Sequence, residues 1–220
     1  EYARVQRVCE YRAMPRCAES ITKMEIIGIF GGTFNPIHNG HLALAHTVLN
    51  TLHCTQIRFI TAELQPHKAT PAVSAQHRAA MVQLAIQDHV EYVLDTCELE
   101  RYGASYTIET LLHQRQQFPD AALCLMIGQD SYQKLPTWHR WLELLDYCHL
   151  LVVHRAENDK VLTLHTMHEG KLIDITKAPN AFAAQKNGLI SFLPITPPDI
   201  SSTRIRAQLA RADDDLLSAI

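Results

Sequence analysis

Two histidines three residues apart, His38 and His41, follow a glycine-rich turn, Gly31-Gly32-Thr33-Phe34-Asn35-Pro36, in a spacing suited to handling phosphate. Gly31 and Gly32 let the backbone turn sharply and meet a ligand without Cβ obstruction. Ahead of them, Ile26 to Phe30 is a short apolar run without polar alternation, the pattern of a strand buried on both faces of a parallel sheet. Beyond Gly40, the spacing of Leu42, Ala45, Leu49 and Leu52 predicts a helix. The histidines therefore flank a helix entrance, where unpaired N–H groups and the positive end of the helix dipole favour an anion such as a polyphosphate. In a chain of thirteen histidines the same pair also fits two surface side chains or a metal pair. The G-x-G-x-x-G dinucleotide fingerprint and the Walker lysine motif are both absent.

A second cluster lies near the other end, Ile200-Ser201-Ser202-Thr203-Arg204-Ile205-Arg206. Pro194, Pro197 and Pro198 break the chain before it, and Ser201 and Ser202 open a helix bearing Ile205 and Leu209. Ser202 and Thr203 offer hydroxyls and N–H groups, and Arg206 stands on nearly the same helical face as Thr203. A capping serine beside a surface arginine gives the same pattern.

The elements that must position these groups read as alternating strands and helices. Gln56 to Thr61 is a second strand, giving a β-α-β unit. Ser74 can cap a helix with an apolar stripe of Ala80, Met81, Leu84 and Ala85, and His77 and Arg78 in its first turn. Tyr92 to Leu94 and Cys97 to Leu99 are short strand candidates around Asp95, read as a turn or surface carboxylate. Ser105 or Thr107 is expected to cap a helix carrying Ile108, Leu111, Leu112 and Phe118. Ala121 to Ile127 is a buried strand ending at Gly128, which puts Asp130 at the carboxyl edge of the sheet. Trp138 opens a helix with Trp141, Leu142 and Leu145, and either stacks on a ligand or joins the core. His149 to Val153 and Leu189 to Leu193 complete the strands. The expected architecture is a single-domain α/β fold, a Rossmann-like doubly wound parallel sheet.

The turn and the His38-Asn39-Gly40-His41 helix start resemble the nucleotidyltransferase superfamily marked by Gly-Gly-Thr-Phe-Asp/Asn-Pro and His-x-Gly-His. The Ile200 to Arg206 stretch resembles that superfamily's second signature, Ile-Ser-Ser-Thr-x-x-Arg. Pro66-His67-Lys68, Ser105-Tyr106-Thr107, Gly128-Gln129-Asp130 and Pro136-Thr137-Trp138 look like the bacterial nicotinate-mononucleotide adenylyltransferases in particular. The likeness runs from about residue 26 to 217. It implies adenylyl transfer from ATP to nicotinate mononucleotide, giving deamido-NAD and pyrophosphate. His38, His41 and Arg206 would be catalytic. Gly31, Gly32, Thr33, Phe34, Gly128, Asp130 as a ribose-hydroxyl acceptor, Ile200, Ser201 and Ser202 would join them on ATP. Lys68 would touch a phosphate, while Ser105, Tyr106, Thr107, Trp138 and His139 would hold the acceptor. Mg2+ would accompany ATP, held chiefly by phosphates and water rather than by a protein metal site. Asn35 stands where many members carry aspartate.

With 220 residues, 47% of them hydrophobic, the chain can bury one substantial core. A net charge of -3 and the lack of a basic run argue against a nucleic-acid polymer as partner. No apolar run reaches the length of a membrane span, and a cytoplasmic location is expected. Six cysteines without a C-x-x-C pair read as free thiols. Residues 1–23 precede every motif, and residues 24–220 form the expected nucleotidyltransferase domain. Met24 resembles a natural start, so the preceding stretch is either a basic extension or translated upstream sequence. Arg4, Arg7, Arg12 and Arg16 would suit a mitochondrial address, whereas Glu1, Glu10 and Glu19 argue against one. Residues 156–188 are the least informative, and His165 and His168 read as a solvated face. Two other functions fit the same motifs: transfer to nicotinamide mononucleotide or phosphopantetheine, and a non-catalytic nucleotide sensor.

Overall fold

The computed structural model describes residues 23–63, 71–101, 105–155, 172–196 and 198–217. Residues 1–22 and the segments holding Lys68, His165 and His168 lie outside them. Alternation along the strands decides the layers, because successive side chains leave a sheet on opposite faces. In β1 (Ile26–Gly32), Ile26 and Phe30 join one core, while Ile27 and Ile29 join the other. The same division runs through β2 (Gln56–Thr61), β4 (Ala122–Gly128) and β5 (His149–Arg155). With β3 (Tyr92–Asp95) and β6 (Ile190–Ile195) they form a sheet in the order β3-β2-β1-β4-β5-β6, every neighbouring pair parallel. The α/β doubly wound expectation holds.

Helices cover both faces. α1 (Asn39–Leu52) and α2 (Ala75–Ile86) pack on the face of Phe30 and Phe59, and α3 (Thr107–Gln117) packs on the other through Ile108 and Leu111. The chain winds from β1 outward to β3, then resumes on the far side of β1 with β4 to β6. The direction reverses between β1 and β4, and open α/β sheets bind ligands in the crevice beyond the strand ends at such a point.

Several local expectations change. α2 buries Ala75, Arg78, Ala79, Val82 and Ile86; of the stripe read from the sequence, Met81 and Ala85 pack partly buried against the core, while Ala80 is exposed and Leu84 is 66% exposed. Cys97 to Leu99 is a turn rather than a strand. Asp95 is buried, not on the surface: Arg58 donates to it from Nε and Nη2 at 3.0 and 2.9 Å, and Gln114 at 2.7 Å. Burial alone would raise its carboxyl pKa, but the Cys97 N–H, Arg58 and Gln114 outweigh that and hold it below the ordinary value. Strand β6 runs through Pro194, which an edge strand tolerates because one side of its ladder is unused.

His149, at the start of β5, is fully buried and stacks on Phe182 at 4.4 Å. Its Nδ1 accepts the Leu189 N–H at 3.1 Å, which puts the proton on Nε2, facing the Phe182 and Gln185 carbonyls. Burial pulls its pKa down to about 4. The folded chain therefore refuses a proton that the unfolded chain takes near pH 6.5, so stability present above that pH drains away toward pH 4. Denaturant unfolding should show a loss of ~2 kcal/mol from this histidine between pH 8 and pH 5. An unchanged midpoint across that range would contradict the assignment.

Candidate active site

The turn after β1 is shaped by the ring of Phe34. Phe34 takes φ +45°, and its buried ring meets Phe30 edge-on at 5.4 Å, with Phe59 and His41 at 5.9 and 5.2 Å. It occupies the space over Gly32, where a Cβ would come within 2.8 Å of a ring confined on its other sides. Gly31 faces open space.

The His-x-Gly-His spacing folds both rings over the start of α1. The Nδ1 of His38 accepts the Gly40 N–H at 3.1 Å, and the Nδ1 of His41 accepts the His38 N–H at 3.2 Å, so each histidine caps the helix. The rings stack at 3.8 Å. A side chain at position 40 would press within 3.0 Å of the His38 ring and 3.3 Å of Ile200. With Nδ1 committed as an acceptor in both rings, the proton of each neutral imidazole rests on Nε2. Burial, then the neighbouring His38, pulls the His41 pKa down to about 4, and burial lowers that of His38. At neutral pH the pair is uncharged and presents two N–H donors.

The helix α5 (Ser202–Leu217) brings the distant signature onto this turn. Ser201 accepts the Arg204 N–H at 3.3 Å, the Ser202 hydroxyl donates to the Pro36 carbonyl at 2.8 Å, and Arg206 donates to the Asn35 carbonyl and to Thr203 Oγ1. The two signatures thus hold each other across more than 160 residues. Between them opens a cavity of about 630 Å³ lined by Gly31, Thr33, His41, Ser202, Thr203 and Arg206.

On the other side of the same glycines lies a cavity of about 520 Å³. Ser105, Tyr106, Thr107, Trp138 and His139 line it, and His139 lies against Tyr106 at 4.6 Å. Gly128 and Asp130 line this cavity too, not the one beside His41, with Asp130 exposed in the short helix α4 (Gln129–Gln133). Neither Ser105 nor Thr107 caps α3: Tyr106 occupies the cap without a side-chain bond, the Ser105 hydroxyl bonds Glu98, and Thr107 is the first helical residue. The Glu109 N–H meets the Tyr106 carbonyl at 3.0 Å, and among the described residues the N–H groups of Thr107 and Ile108 have no such partner. Trp138 starts no α-helix but ends a 3-10 turn, Leu135–Thr137, because Arg140 at φ +52° breaks the path before the next, Trp141–Asp146. Its half-buried ring packs against the core and also borders the cavity.

Sequence reasoning missed Glu98 and gave Arg78 no role. Glu98 is buried in the wall of the smaller cavity, where Thr110 donates to it at 2.6 Å and Arg101 stands at 3.9 Å. Burial raises its pKa above the ordinary value. Nothing in the local pattern marks it, since its partners lie up to 12 residues away. Among the described residues no three His, Cys, Asp or Glu side chains cluster as metal ligands, and no helix is long and apolar enough to cross a membrane.

A parallel sheet with N–H donors gathered at its switch point is the frame of the α/β nucleotidyltransferases, and the family model described as cytidylyltransferase-like matches residues 29–208. A probable nicotinate-nucleotide adenylyltransferase of Hydrogenovibrio crunogenus is 42% identical over 188 residues, 86% of this chain and 88% of that relative. One of Aeromonas hydrophila is 39% identical over 196 residues, covering 86% and 87%. The chain belongs to the nicotinate-nucleotide adenylyltransferases, within the cytidylyltransferase-like family. Its fold is shared by the nicotinic acid mononucleotide adenylyltransferase of Plasmodium falciparum complexed with NaAD, with a TM-score of 0.58 at 17% identity over 83% of each chain.

Proposed function

We infer that this chain transfers the adenylyl group of ATP to nicotinate mononucleotide, giving nicotinate adenine dinucleotide and pyrophosphate in NAD biosynthesis. The observation that carries the reading is the pair of cavities meeting at Phe30, Gly31 and Gly32. ATP places its triphosphate in the cavity of His41, Ser202 and Arg206, and the acceptor enters the cavity of Trp138 and the α3 start. An oxygen of the acceptor phosphate attacks the α-phosphorus over Gly31, the bond to the β-phosphate oxygen breaks, and pyrophosphate leaves with the electron pair. The nucleophile is already anionic, so no general base or covalent intermediate is needed. The Nε2–H groups of His38 and His41 stabilise the leaving charge as neutral donors, and Arg206 exchanges the Asn35 carbonyl for a phosphate oxygen. In the acceptor cavity the open N–H groups of Thr107 and Ile108 receive the pyridine carboxylate. Asp130 binds a ribose hydroxyl, and Lys68 adds a phosphate contact. A divalent ion such as Mg2+, bound with ATP, would supply neutralisation of phosphate charge. Among the described residues no carboxylate lines the larger cavity, so the ion would be held by phosphates and water.

Pyrophosphate release measured with nicotinate mononucleotide, nicotinamide mononucleotide and phosphopantetheine tests this. The nicotinate acceptor should win in kcat/KM by about tenfold or more, since the amide gives the α3 N–H groups no charge to meet. Equal or better turnover of the amide would overturn the acceptor, and silence with all three would overturn the reaction.

A further inference from the structure

Arg78 lies 1% exposed at the N-terminal end of α2, outside the wall of either cavity. It spends its guanidinium on main-chain carbonyls of three segments. Nη1 donates to Thr33, Nη2 to Glu63 at 3.3 Å, and Nε to Val73 at 3.3 Å. Among the described residues no carboxylate forms an ion pair with it, and Glu63 acts on it only at longer range. Two of the three segments it grips, at Thr33 and Val73, border the larger cavity.

A buried guanidinium whose hydrogen bonds all go to carbonyl dipoles keeps part of its field, and two of the carbonyls it holds belong to residues in the wall of that cavity. Peptide geometry adds a direction. In a trans peptide the C=O of one residue and the N–H of the next point opposite ways. Thr33 C=O is turned back onto Arg78, so the Phe34 N–H points forward, away from the guanidinium, and Phe34 lines the cavity. We propose that Arg78 is a positioning residue for the triphosphate: by holding the Thr33 carbonyl it aims the Phe34 N–H at a phosphate oxygen and sets a positive charge behind the glycine turn. The proposal rests on the assignment of the larger cavity to ATP.

The test joins a spectroscopic and a binding measurement. In the 15N-labelled wild-type protein, α,β-methylene ATP should shift the Phe34 amide proton downfield. Arg78→Met and Arg78→Lys should bind the analogue about tenfold to a hundredfold more weakly, while the KM for nicotinate mononucleotide stays within about twofold. Lysine keeps the charge but reaches fewer carbonyls, so Arg78→Lys should fall between wild type and Arg78→Met. Three results would each overturn the proposal. They are a Phe34 amide that stays still as the analogue binds, a folded variant of unchanged analogue affinity, and equal weakening toward both substrates. Should either variant fail to fold, the wild-type shift still decides. A wild-type protein that does not bind the analogue at all would instead sink the assignment of the cavity.

Discussion

Replacing His41 with alanine should lower kcat about 10²- to 10³-fold, the cost of removing one preorganised donor, ~2.7 to 4 kcal/mol in the barrier. The size follows from burial. The ring is held between Phe34 and His38 with its Nε2–H fixed by the bond at Nδ1, so the donor needs no reorganisation as charge builds on the leaving pyrophosphate. The same variant loses a cap on the His38 N–H and so about 0.5 to 2 kcal/mol of stability. Thermal unfolding measured beside the kinetics separates the two effects. His41→Asn can keep a donor and should recover part of the rate. A neutral donor also predicts no loss of turnover from His41 between pH 8 and pH 6, since its pKa lies near 4. A folded His41→Ala enzyme of wild-type rate would refute the role.

The largest expected loss of stability comes from Asp95→Ala, about 3 to 5 kcal/mol, because it strands the Arg58 guanidinium at a site where both partners are largely enclosed. Four donors converge on this carboxylate, from Arg58 twice, Gln114 and the Cys97 N–H. They tie β2, β3, α3 and the turn leading to Glu98, so the wall of the smaller cavity, proposed above to take the acceptor, depends on them. Urea unfolding should show the deficit, and the surviving enzyme should lose affinity for nicotinate mononucleotide more than for ATP. Acid should act in the same direction. A carboxyl held below its ordinary pKa contributes stability above the unfolded value, and that contribution goes as the pH falls through the folded one. An Asp95→Ala protein as stable as wild type would mean that the network contributes nothing.

Asp95 also marks where the sequence stops being legible. The strands could be read because parallel strands buried on both faces are continuous apolar runs, as in Ala122 to Ile127. The two phosphate motifs could be read because each is local, a turn or a helix start whose residues serve one another within a few positions. Asp95 reads as a surface residue because its partners Gln114 and Arg58 are 19 and 37 residues away. Arg78 falls in a predicted first turn, yet only the fold shows that its side chain runs back beneath Thr33. The stripe of α2 was partly misplaced for a plainer reason. Ala79, Ala80 and Ala85 are equally at home on either face, so the pattern points nowhere until the sheet selects Val82 and Ile86. At Trp138 the proline before it was visible, but the left-handed Arg140 after it was not.

Gly31, which faces open space and borders both cavities, has a consequence for inhibition. Gly31 sets no side chain of its own between the two cavities, so a single molecule laid over it can reach into both. Two weak ligands, each suited to a single cavity, become one strong ligand when joined across it. The second half then binds at the effective concentration set by the linker, a gain on the order of 10² to 10⁴ for a linker that matches the span.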